Sequence, residues 1–105
     1  MGYYTLYSIY LIEGDKEDYN NLLEDIMDKT GNKYLNLDNG YFNEEMKWYE
    51  WETDCYNFSK KYPNLLFMVE GDGEESDDYW RCYFKNGKSA YYEKIWPQFN
   101  KKDMK

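Results

Sequence analysis

Apolar and polar positions along the chain follow two different periods, and the switches between them mark the elements. Residues 3–12, Tyr-Tyr-Thr-Leu-Tyr-Ser-Ile-Tyr-Leu-Ile, are rich in aromatic and β-branched side chains and predict a first strand. Tyr3, Thr5, Tyr7, Ile9 and Leu11 share one face, and Tyr4, Leu6, Ser8, Tyr10 and Ile12 share the other. Both faces are mostly apolar, which predicts a central strand covered on at least one side. Gly14-Asp15 breaks the strand, and Asp15 is placed to cap a helix whose first turn carries Glu17 and Asp18. Tyr19, Leu22, Leu23, Ile26 and Met27 then recur at helical spacing, and Thr30-Gly31 supplies the stop.

Asp38-Asn39-Gly40 is a turn signal, so Tyr34, Leu35 and Leu37 read as one short arm and residues 41–49 as the other, with 44–49 assigned to strand. Trp48, Trp51, Cys55, Phe58 and Tyr62 recur at intervals of three and four. Their spacing predicts a second helix over 50–62, ended by Pro63. Leu65 to Val69 reads as a buried strand, and Gly71 to Asp78 as an acidic loop. Tyr79 to Phe84 alternates again, with Tyr79, Arg81 and Tyr83 opposite Trp80, Cys82 and Phe84. Asn86-Gly87 suits a tight turn, after which residues 89–95 return as the last strand. Pro97 stops it, and the lysine-rich residues 97–105 read as a frayed tail. The order predicts one α+β domain over residues 1–105. Two helices pack on one face of a mainly antiparallel sheet, as a ferredoxin-like plait with a C-terminal β-hairpin.

Composition narrows the chemistry. The 105 residues include no histidine, which removes the usual general base, the proton shuttle and the commonest metal ligand. Cys55 and Cys82 stand apart without a CxxC pair, so a zinc site of ordinary ligand number is out of reach. They read as buried thiols of a cytoplasmic protein rather than as a disulfide. No acid/base pair or activated nucleophile is visible, so the chain is expected to be non-enzymatic and free of cofactor and metal. No apolar run approaches the roughly 20 residues of a membrane helix, and no secretory signal is expected.

Charge sharpens the picture further. Residues 1–80 hold 19 acids against 6 lysines, a net of -13, whereas residues 81–105 carry a net of +5. The whole chain stands at -8, which argues against direct binding of long nucleic acid. An acidic surface keeps a small domain soluble. It can equally imitate nucleic-acid phosphates and enter a basic channel on a partner. Asp72, Glu74, Glu75, Asp77 and Asp78 put five carboxylates within seven positions, and Tyr79 follows them. Their spacing does not match the 12-residue calcium loop, since the closing glutamate position counted from Asp72 falls at Tyr83. These six residues are the candidate partner-binding set. A different class of function would use Trp80, Arg81, Lys85 and Lys88 to stack a base and hold its phosphates, as a small-ligand or nucleotide-binding module. Fourteen tyrosines exceed what the core of so small a domain can hold. Exposed tyrosine makes a good contact residue, and a structural homodimer that buries the surplus is a third option.

The stretch Ser59-Lys60-Lys61-Tyr62-Pro63, with Leu66-Phe67, Gly71-x-Gly73-Glu74-Glu75, Asp78-x-Trp80, Tyr83-Phe84 and Gly87-Lys88, resembles a pattern in small α+β proteins of phages and mobile elements. In composition, the short acidic chain rich in Tyr, Asn, Lys and Glu is similar to anti-CRISPR and other anti-defence proteins. That likeness implies a stoichiometric inhibitor in the bacterial cytoplasm. Its partner would be a host defence protein, a nuclease or a CRISPR effector complex.

Overall fold

A computed structural model describes residues 5–31, 48–73, 79–93 and 101–104. Strand β1 (Thr5–Glu13) is followed by helices α1 (Lys16–Thr30) and α2 (Trp51–Lys61). Strands β2 (Leu66–Gly73), β3 (Tyr79–Lys85) and β4 (Lys88–Glu93) come next, then a 3-10 turn at Lys101–Asp103. The four strands form an antiparallel sheet in the order β1-β2-β3-β4. The fold is thus α+β, with two helices and an antiparallel sheet.

This order departs from the ferredoxin-like plait, whose six elements run β-α-β-β-α-β. Here both helices fall between β1 and β2, and the three later strands follow as a meander. Among the described residues β1 is an edge strand, not a central one. Its face toward the helices is buried, whereas Leu6, Ser8 and Tyr10 on the other face are half-buried and Ile12 is exposed.

The helices cover the face carrying Tyr7, Ile9, Phe67, Val69, Trp80, Cys82 and Phe84. Helix α1 contributes Tyr19, Leu22, Leu23 and Ile26, all buried as the spacing predicts. Its ends follow the sequence signals. Asp15 accepts from the Glu17 N–H at 3.1 Å, and Gly31 closes the helix at φ 71°. Helix α2 lays Cys55 and Ser59 against the sheet, with Trp51, Phe58 and Tyr62 packed around them. Burial pushes the Cys82 thiol up to about 12 and that of Cys55 well above its ordinary 9.0, so both are protonated core residues.

Trp48 lies in the turn before α2, where its indole N–H donates to Asp54 Oδ2 at 2.8 Å. Residues 48 and 49, expected as the end of a strand, therefore belong to the approach to the helix; 44–47 lie outside the described residues. Tyr7 Oη donates to the Trp48 carbonyl and Tyr19 Oη to that of Ile9, so buried tyrosines in this core find partners.

Strand β2 runs through Gly71, Asp72 and Gly73, which corrects the expectation of a loop beginning at Gly71. The reason is steric. Trp80 lies flat across Gly71, and a Cβ there would sit 2.2 Å from the indole ring. The glycine that reads as a loop residue is a gap in the sheet surface that the ring fills.

The opposite face holds Leu66, Met68, Tyr83 and Ala90, packed with Tyr10, Tyr92 and Met104. Residues 97–105 were expected to fray, yet 101–104 lie on this face: Met104 joins the cluster, and Lys101 Nζ reaches Glu13 Oε2 at 2.7 Å. A bulge in β1 sets up that ion pair. The register skips Ile12, so Glu13 pairs with Leu66 and turns to the side of the sheet where Lys101 lies.

Candidate functional site

The register arranges charged residues along the strand axis. At one end Asp72 pairs with Leu6 and Tyr79, and Glu93 pairs with Trp80. Gly73 and Tyr79 bound the β2–β3 connection at this end, and Glu74, Glu75, Asp77 and Asp78 belong to that connection. Those four lie outside the described residues. Asp72 is exposed and Tyr79 half-buried. At the other end Lys85 and Lys88 face each other across the β3–β4 turn, beside Lys101. Six residue steps of β3 separate Tyr79, the partner of Asp72, from Lys85, and five of β4 separate Glu93 from Lys88, roughly 20 Å and 17 Å at ~3.3 Å per residue. Both exceed the ~8 Å screening length at physiological ionic strength, so each end presents its own field. Helix α1 adds exposed Glu17, Glu24 and Asp28 along its solvent side.

Next to Asp72 and Tyr79 is a polar row, Ser8, Glu70, Arg81 and Tyr92, on the face away from the helices. Arg81 Nε lies 3.2 Å from Glu70 Oε2. Burial opposes the Arg81 charge, but a hydrogen bond to Tyr79 and the Glu70 carboxylate outweigh it, and its pKa is raised. Burial, then the hydrogen bond to Glu70, raises the Tyr79 hydroxyl as well. The sole arginine of the chain is thus engaged with a carboxylate on its own sheet.

The second candidate set is divided by the strand's alternation. Trp80 is only 6% exposed and faces the helices, where it stacks on Trp51 at 4.1 Å and meets Tyr7 edge-on at 6.0 Å. Arg81 faces the other way. Neither shares a cleft with Lys85 and Lys88, so no base sandwiched between Trp80 and these cations can form.

Lys85 and Lys88 instead line a pocket of about 270 Å³ with Lys101 and Asn86, over an apolar floor of Pro63, Leu66 and Met104. Sequence reasoning missed two parts of it, Lys101 and the Ser59 that steadies the turn. Ser59 is fully buried, donates to the Tyr56 carbonyl at 2.6 Å and accepts from the Gly87 N–H at 2.8 Å. The available signal was its spacing, since 51, 55 and 59 fall on one helical face. Asn86 and Gly87 both hold positive φ, 46° and 74°, as the two central residues of a tight hairpin turn.

Among the described residues, no three His, Cys, Asp or Glu side chains are grouped to hold a metal ion, and no helix is long and apolar enough to cross a membrane. No family model, curated protein or solved structure matches the chain.

Proposed function

We propose that this protein is a non-enzymatic inhibitor of the anti-defence type. Its acidic, tyrosine-bearing end occupies the nucleic-acid-binding site of a bacterial defence protein. The observation that supports this reading is the segregation of charge along the strand axis, with Asp72 roughly 20 Å from Lys85 and Glu93 roughly 17 Å from Lys88. The β2–β3 connection adds Glu74, Glu75, Asp77 and Asp78 to the acidic end. One-signed charge concentrated at one end steers that end toward a basic channel and speeds encounter. Tyr79, half-buried at that end, extends the contact area. A helix-covered aromatic core beneath keeps the surface rigid, so little ordering cost opposes binding.

The test is a pull-down from bacterial lysate at low and high salt, followed by elution with DNA or RNA. A nucleic-acid mimic retains a nucleic-acid-binding protein at low salt and releases it to either polynucleotide. Retention that neither salt nor polynucleotide weakens would contradict the reading.

A further inference from the structure

The lysine pocket at the other end of the sheet has a chemistry of its own. Lys85 and Lys88 are directly opposed across the β3–β4 ladder. Like charges in that position destabilise a strand pair. Lys101, which enters from the C-terminal turn, is held by Glu13, and the same contact keeps the Glu13 carboxyl below its usual range. Two lysine charges therefore border a pocket whose floor is Leu66, only 1% exposed, with Pro63 and Met104. Among the described residues, no aromatic ring lines it.

From this combination we propose that the pocket binds a small amphiphilic anion, a phosphate or carboxylate head on a short aliphatic chain. The head lies between Lys85 and Lys88, where it relieves their mutual repulsion. The chain lies on Leu66, Pro63 and Met104, where it gives up apolar surface to apolar surface. Lys101 closes one side while its own charge stays with Glu13. The site acts separately from the acidic end, because a separation of roughly 17–20 Å is about twice the ~8 Å screening length.

Titration of the full chain with hexyl phosphate and with hexanoate, followed by backbone amide NMR, tests the proposal. Inorganic phosphate and hexanol serve as head-only and chain-only controls. At least one amphiphile should give saturable shifts at Leu66, Asn86 and Met104. The tighter of the two identifies the head group. Lys85→Gln/Lys88→Gln should weaken that binding about tenfold or more, the loss expected from removing charge-assisted hydrogen bonds. Both lysines are exposed, so the double variant keeps its fold, and a thermal midpoint no lower than that of the wild-type chain checks this. Binding of inorganic phosphate or hexanol as tight as that of the amphiphiles would overturn the proposal. So would the absence of saturable shifts, or amphiphile binding that the double variant leaves intact.

Discussion

The two faces of the sheet differ in what they hold and in what holds them. The helix-covered face is packed with rings, including Trp80 on Trp51 and Phe67 against Phe84 at 5.4 Å, and its deepest side chains are fully buried. The other face has a smaller apolar cluster beside a polar row, Ser8, Glu70, Arg81 and Tyr92, and is covered at one end by a short C-terminal turn. Stability is concentrated on the first face. Charge is arranged on the second face and at the two ends. Residues whose loss should unfold the chain are therefore distinct from residues whose loss should change what it binds.

Truncating each face in turn gives the widest contrast. Phe67→Ala should cost about 3–5 kcal/mol, as expected for a large ring removed from a closed core. Met104→Ala on the opposite face should cost about 1 kcal/mol, because its side chain is only partly buried. Urea denaturation measures both, and equal losses would break the distinction between the faces.

Alkali should strike the helix-covered face selectively. Both thiols have a raised pKa in the fold, so their stabilising contribution is full below 9.0 and is lost as pH climbs toward the folded values. At pH 10 each should cost about 1.4 kcal/mol. Cys55→Ala/Cys82→Ala should remove that loss and leave a later decline near pH 10 from Tyr62 and Tyr79, whose hydroxyls are also raised by burial. Thermal midpoints from pH 7 to 11 decide it; an identical pH profile for the variant would show that the thiols are not what alkali titrates.

Two smaller effects test how the sheet is seated. Gly71→Ala should destabilise by about 1–3 kcal/mol, since its methyl must displace the Trp80 ring. A near-ultraviolet circular dichroism change should accompany the loss. Ser59→Ala should cost about 1–2 kcal/mol by depriving the Gly87 N–H of its acceptor. Its amide exchange should quicken at Gly87 more than at Ile9; uniform quickening would mean that Ser59 does not anchor the turn.

Much of the helical layer was legible in the sequence, because the Asp15 cap, the stripe from Tyr19 to Met27 and the Gly31 stop all act locally. The alternation of β3 was equally plain, and it already separates Trp80 from Arg81; a shared base-binding cleft ignored that period. What stayed hidden depends on contacts distant in sequence. Gly71 reads as a loop residue until Trp80 lies across it. The bulge at Ile12 shows itself only in the register with β2, and it alone brings Glu13 to Lys101. Strand order could not be read because apolar alternation marks the faces of β1 and does not say which strand hydrogen-bonds along its edges. At the acidic end the composition pointed to charge, and pairing then placed Asp72 in a strand rather than in a loop.

Plasmid interference in bacteria measures most directly whether the acidic end blocks a defence protein. Hosts with an active nuclease or CRISPR system would receive a targeted plasmid, with the wild-type chain or with Glu74→Gln/Glu75→Gln/Asp77→Asn/Asp78→Asn. A thermal midpoint within a few degrees of the wild-type value checks that the variant is folded. The wild-type chain should rescue transformation in at least one host, and the neutralised variant should lose that rescue. No rescue by the wild-type chain in any host, or full rescue by the neutralised variant, would contradict it.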